Sequence, residues 1–221
     1  VAAGIGVFRG ILSSTPTIRL SDVVAVGEAT IVYDREGNEI DQYVSTNSNR
    51  LSVGMDEIPD YLGKAFVAIE DERFYQHNGI DFKSIIRAGY QFFKTGGEEA
   101  QGASTITQQL ARNIFLSQEV TWQRKVEEIF IAVGLEKKYS KNQILEFYLN
   151  NIYFGNGYYG VEAAARGYFD KSVSELTLAE QAFIAAIPNN PTRYNPLTNY
   201  DNTVQRKNLI LQQLYEADDI G

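Results

Sequence analysis

The stretch "AFVAIEDERFYQHNGID", residues Ala65 to Asp81, runs an unbroken apolar segment straight into three consecutive carboxylates, Glu70, Asp71 and Glu72. Ionised carboxylates beside buried apolar side chains cost free energy unless they reach water or a partner. The triplet is therefore either the wet face of an amphipathic helix or a device that keeps one carboxylate at the edge of the core for chemistry. Leu62, Phe66 and Ile69 have helical spacing, and Pro59 is placed for a first turn. His77, Asn78 and Gly79 read as the end of that helix: a cation in the last turn, then a left-handed cap. His77, the sole histidine, is thus assigned to helix termination or packing in preference to catalysis.

Composition narrows the function classes. The 221 residues are 44% hydrophobic and 22% charged, which places the chain among globular proteins of one large or two small domains. A net charge of −8 argues against broad affinity for nucleic acid, while leaving room for a local basic pocket. With no cysteine and one histidine, disulfides, thiolate metal sites and histidine-rich zinc sites are excluded. The N-terminal "VAAGIGVFRGIL" is shorter than the about 20 apolar residues that span a bilayer and lacks the layout of a complete signal peptide. It reads either as a short buried or frayed segment or as the tail of a membrane helix.

Beyond it, "ATIVYDREGNEIDQYV" (Ala29 to Val44) has two short strand-like runs about a turn, which predicts a hairpin. The rest is mostly helical. "KTGGEEAQGAST" is a loop, and Thr105 with Gln108 has capping-box spacing that opens a helix in "TITQQLARNIF". Glycines ahead of a helix N-terminus are compatible with an anion site, although no Walker lysine is present. In "TWQRKVEEIFIAVGLEKKYS", Val126, Ile129, Phe130 and Val133 form one apolar row, and Ile131 and Leu135 another. Apolar on two sides, that helix is expected inside the protein. Arg124 and Lys125 stand four and three residues before Glu128, so both cations can approach one carboxylate. Thr177 and Glu180 repeat the capping-box spacing before "LAEQAFIAAI", "PNNPTRYNP" breaks that helix, and a last amphipathic helix covers Val204 to Leu214. Clustered aromatics such as Phe147, Tyr148, Tyr153 and Phe154 fit a core or a sugar-stacking wall.

These pieces resemble the family 51 glycosyltransferases, the peptidoglycan glycosyltransferase domain of class A penicillin-binding proteins. "EDERFYQHNGID" is similar to the family's first motif, "GASTITQQLARN" to its second and "RKVEE" to its third. "KNQILEFYLNNIYFG" with Gly160 to Phe169 fits the fourth, and "LTLAEQAFIAAIPNNPTRYNP" the fifth. The likeness runs from about Tyr33 to Leu214, in the family's order.

The resemblance implies a mostly α, lysozyme-like helical domain with a membrane-facing lobe and a small N-terminal β-hairpin. It divides the chain into a truncated transmembrane helix (1–12), a linker and hairpin (13–55) and the glycosyltransferase domain (56–221), after which a transpeptidase domain would follow. The implied reaction polymerises lipid II, a lipid-linked disaccharide–peptide, into β-1,4 glycan with release of undecaprenyl pyrophosphate. By motif position, Glu70 is the base acting on the acceptor hydroxyl, and Glu128 is the family's second glutamate, orienting cations and phosphates. Arg112, Arg124 and Lys125 are the cations for the leaving pyrophosphate, and Ser104, Thr105, Gln108, Gln109 and Asn150 complete the substrate-binding set. Asp71 and Glu72 are expected to face water or pair with Arg73. No metal site and no required cofactor are implied, though a Mg ion is compatible with the pyrophosphate. The implied partners are lipid II, the growing glycan strand, the membrane and phosphoglycolipid inhibitors of the moenomycin type, with no nucleic acid. The implied location is the extracytoplasmic face of a bacterial cell membrane, on a single-pass anchor. A lytic enzyme of similar fold and a catalytically silent membrane scaffold are the rival readings.

Overall fold

The computed structural model describes residues 30–33, 35–36, 39–43, 49–95, 102–116 and 121–221. The apolar segment 1–12, the linker to residue 29 and most of the glycine-bearing loop before Thr105 lie outside them. The hairpin is formed by β1 (Thr30–Tyr33) and β2 (Glu39–Tyr43), antiparallel with an irregularity between Val32 and Tyr33. A second pair, β3 (Asn49–Arg50) and β4 (Tyr158–Tyr159), is parallel and pins the entering chain to the helical body.

Eight α-helices make up that body among the described residues: α1 (Asp60–Glu70), α2 (Phe82–Lys94), α3 (Ile106–Phe115), α4 (Trp122–Lys138), α5 (Lys141–Asn151), α6 (Val161–Phe169), α7 (Leu178–Ala186) and α8 (Tyr200–Glu216). The mostly helical architecture anticipated from the sequence is what the chain adopts. Local chemistry sets several of the helix starts. Thr105, Ser140 and Thr177 each cap a helix with a reciprocal bond from the glutamine or glutamate three residues on, satisfying N–H groups that no helical turn can reach.

The core joins Leu62 and Phe66 of α1, Ile106 and Leu110 of α3, Ile144 and Tyr148 of α5, and Ile210 and Leu214 of α8. Phe66 meets Tyr148 and Phe154 edge-on, with ring centroids 5.8 and 6.1 Å away. Burying a side chain of that size stabilises by roughly 1.5–3 kcal/mol, so this corner anchors α1 beneath the cleft.

Three expectations are corrected. The most enclosed helix is α7, in which every residue from Gln181 to Ala186 is buried. Helix α4 buries one face only (Glu128, Ile131, Ala132 and Leu135), leaving the Val126–Ile129–Phe130–Val133 row half-buried. Helix α1 stops at Glu70 instead of running to His77, because Asp71 leaves helical geometry at φ −160° and ψ 68°. A single 3-10 turn, Phe74–Gln76, follows it. The last helix extends beyond Val204 and Leu214 at both ends.

Helix α2 stands apart from this packing. It buries none of its residues and exposes Phe82, Ile85, Ile86, Tyr90, Phe92 and Phe93. Among the described residues no helix is long and apolar enough to cross a membrane.

Candidate active site

The early end of α1 separates the three carboxylates. Glu70, the last helical residue, lines a cleft of about 610 Å³. Asp71 turns inward: its carboxylate receives His77 Nε2 at 2.9–3.0 Å and the backbone N–H of Ile106 at 3.0 Å. Glu72 remains exposed, 3.7 Å from Arg87. Neither acid pairs with Arg73, which instead holds Asp81. His77 Nδ1 accepts the N–H of Gly79 at 3.1 Å, so both ring nitrogens serve structure.

Gly79 itself has no substitute. It adopts φ +90°, and a Cβ there would come within 3.0 Å of the Ala132 backbone. Its carbonyl accepts Thr105 Oγ1 at 2.8 Å, so this loop, the start of α3 and the middle of α4 meet at one point. Asp81 opens α2, accepting the N–H groups of Lys83 and Ser84 at 3.0 and 3.1 Å and the Ser84 hydroxyl at 2.6 Å. Burial pushes the Asp81 carboxyl up, but the bonds from Ser84 and Arg73 outweigh it and hold the group below its ordinary value.

Glu70 is gripped from both sides. Gln109 Nε2 donates to Oε2 at 3.1 Å, and Arg206 Nη2 donates to Oε1 at 3.0 Å. Gln109 in turn accepts the Tyr148 hydroxyl at 3.2 Å. Tyr148 is fully buried, and burial first, then the Glu70 charge, pushes its hydroxyl well above its ordinary range; it stays a donor.

Ser104, Thr105, Gln109 and Arg112 line the same cleft as Glu70. Arg112, on the last turn of α3, has no ion-pair partner among the described residues. Gln108 does not line the cleft: it is buried, with Oε1 on the Thr105 N–H as half of the capping box.

The α4 cluster joins from the edge. Lys125 Nζ donates to Ser104 Oγ at 2.9 Å and pairs closely with Glu128 Oε1. Glu128 is fully buried behind Lys125, and its Oε2 has no partner among the described residues. The structure brings Lys125, and not Arg124, to Glu128; the Arg124 Nε is buried and has no partner among the described residues. Asn150 lies elsewhere, on α5, where its side-chain amide clamps both backbone groups of Val53 at 2.9 Å.

Sequence reasoning missed Arg206. Its signal was nonetheless present, since it lies three residues after Thr203 and four before Ile210, both on the buried face of α8. A cation on the buried face of a helix requires an anion, and the anion is Glu70.

A carboxylate with two fixed donors and spare lone pairs, in one cleft with Arg112 and with Lys125 at the edge, can take a proton from a hydroxyl while an anion is stabilised nearby. Among the described residues no group of three or more His, Asp or Glu side chains could hold a metal ion.

A family model described as Transglycosylase matches residues 36–215. Penicillin-binding protein 4 of Bacillus subtilis is 46% identical over 200 residues, which cover 90% of this chain and 32% of that protein. Penicillin-binding protein 1A of Escherichia coli is 44% identical over 211 residues, 96% of this chain and 24% of that one. A crystal structure of penicillin-binding protein 1A from Haemophilus influenzae aligns with a TM-score of 0.50 at 25% identity, over 90% of this chain and 20% of that one. The chain spans about a quarter to a third of the length of these curated relatives.

Proposed function

The chain belongs to the transglycosylase family, as a peptidoglycan glycosyltransferase domain of the class A penicillin-binding protein kind, and we propose that it polymerises lipid II into β-1,4 glycan with release of undecaprenyl pyrophosphate. The observation that carries this reading is the meeting of Glu70 with Ser104, Thr105 and Arg112 in one cleft, with Lys125 at its edge.

An alcohol becomes a competent nucleophile when its proton is removed as the new bond forms. Glu70 takes the proton of the acceptor sugar's 4-hydroxyl, and that oxygen attacks the anomeric carbon of the donor. The bond from that carbon to pyrophosphate breaks, and its electron pair leaves with the pyrophosphate. One displacement inverts the α-linked donor to a β product. Arg112, in the cleft, and Lys125, at its edge, face the charge that grows on the leaving group, which is where fixed cations lower a barrier, and Arg124 stands next to Lys125 on α4. Glu128 sets the position of Lys125 through their ion pair. A divalent cation that assists departure would take its ligands from the pyrophosphate.

The exposed apolar face of α2 supports a substrate held at a bilayer, with the exposed Lys83 and Lys94 on the same helix available to lipid headgroups. The domain is read as working at the extracytoplasmic membrane surface, and this apolar face supports the membrane part of that reading. A neutral glycan in the wall requires neither the cations nor the apolar helix, so both features weigh against a lytic enzyme.

The test is incubation in detergent with labelled lipid II. A ladder of products that a muramidase digests is expected, with preformed peptidoglycan left intact and the ladder lost in Glu70→Gln by roughly a hundredfold or more. Shortened peptidoglycan with no ladder would place the chain among lytic enzymes.

A further inference from the structure

We propose that Arg206 is a positioning residue for the base: its guanidinium, braced on the Tyr194 ring, fixes the Glu70 carboxylate against Gln109. This inference rests on the reading of Glu70 as the base.

The geometry is that of a clamp. Arg206 and Gln109 reach different oxygens of Glu70, from α8 and α3 respectively, at 3.0 and 3.1 Å. Two donors on two oxygens fix both the place and the plane of a carboxylate. Four lone-pair sites less two leaves acceptor capacity for a substrate hydroxyl. The Glu70 side chain is 6% exposed and that of Arg206 13%, so water competes little for either.

Tyr194 completes the frame. The Arg206 guanidinium lies over its ring at 5.1 Å, and Tyr194 is held by its own N–H on the Asn190 carbonyl at 2.9 Å. The buried Nε of Arg206 has no partner among the described residues, so the side chain is held by the stack and by Glu70. A planar guanidinium can stack and donate at once, whereas an ammonium can only donate as a point charge. The "PTRYNP" segment thereby acquires a task beyond ending α7.

Lipid II turnover in detergent tests this, with kcat and KM separated and melting recorded for each variant. Arg206→Ala is expected to lower kcat by roughly ten- to a hundredfold through a loosened base. Its KM should stay within about threefold, because a positioning residue does not hold substrate. Arg206→Lys should recover part of the loss. Millimolar guanidinium should raise the rate of Arg206→Ala and leave Glu70→Gln unchanged, a gain that a merely structural role would not produce. Wild-type kcat in Arg206→Ala, a loss confined to KM, or no rescue by either route overturns the inference. Where Arg206→Ala fails to fold, Tyr194→Leu serves instead: it keeps both charges and should lower kcat alone, and an unchanged kcat refutes the brace. An active Glu70→Gln is the separate result that removes the base itself.

Discussion

Asp71 Oδ2 accepts the backbone N–H of Ile106 at 3.0 Å, so the residue directly after Glu70 ties the end of α1 to the start of α3. Both sides of the Glu70–Gln109 bond hang from that tie, since Glu70 ends one helix and Gln109 lies in the first turns of the other.

Asp71→Asn tests this coupling. The Ile106 N–H and the His77 Nε2 both point at the carboxylate, and an amide offers one acceptor oxygen where the acid offered two. Leaving a buried donor unmatched costs roughly 1–3 kcal/mol, which urea unfolding should record as a lower midpoint with an unchanged slope. Turnover should fall as well, although Asp71 need not touch substrate. A variant with lowered stability and full turnover would separate the tie from the site.

The cations can be ranked by calorimetry with a phosphoglycolipid of the moenomycin type. Arg112→Ala and Lys125→Ala should each weaken binding by roughly tenfold or more, the worth of a charge-assisted bond to an anion. Glu128→Gln should weaken it too, because Lys125 loses the partner that holds it toward Ser104. Arg124 is the open member of the set, its Nε lacking a partner among the described residues. Equal affinity in wild type and Arg124→Ala removes it from the phosphate site. Should Glu127→Gln prove more damaging than Glu128→Gln, the assignment within "RKVEE" shifts by one residue.

Asp81 gives a pH signature. Its folded carboxyl lies below the ordinary value of 3.8, so the native state binds its proton more weakly than the unfolded chain. The stability it contributes is present in full above that ordinary value and is lost as pH falls through the folded value. Asp81→Asn should cost roughly 1–2 kcal/mol near neutrality, through the lost charge on Arg73 and Ser84. That difference should shrink below about pH 4. A difference that stays constant from pH 7 to pH 3 would assign the effect to capping geometry alone.

What the sequence disclosed was what is decided locally. The helix starts at Thr105 and Thr177 were legible because a capping box is closed by residues three apart. The cleft residues Ser104, Thr105, Gln109 and Arg112 were legible through their motif for a similar reason, since they lie within nine residues along the N-terminal cap and body of one helix. Asp71 was misread because its fate depends on one dihedral pair at the helix end, which charge patterning does not encode. Asn150 and Gln108 carry polar side chains in motif positions, yet a backbone clamp and a capping box use them up. Arg206 was missed because its partner lies 136 residues away, a distance that only tertiary packing closes.

That distance gives the enzyme an order of assembly during its own synthesis. The ribosome delivers Glu70 first, Gln109 39 residues later and Arg206 136 residues later. A nascent chain that has not yet released α8 already carries both motif glutamates and every motif cation. It nevertheless holds Glu70 by one donor of the two. A product ending before Tyr200 also lacks Ile210 and Leu214, so it loses part of the core together with the second donor on Glu70. The clamp on Glu70 is thus complete only once α8 has packed against α1.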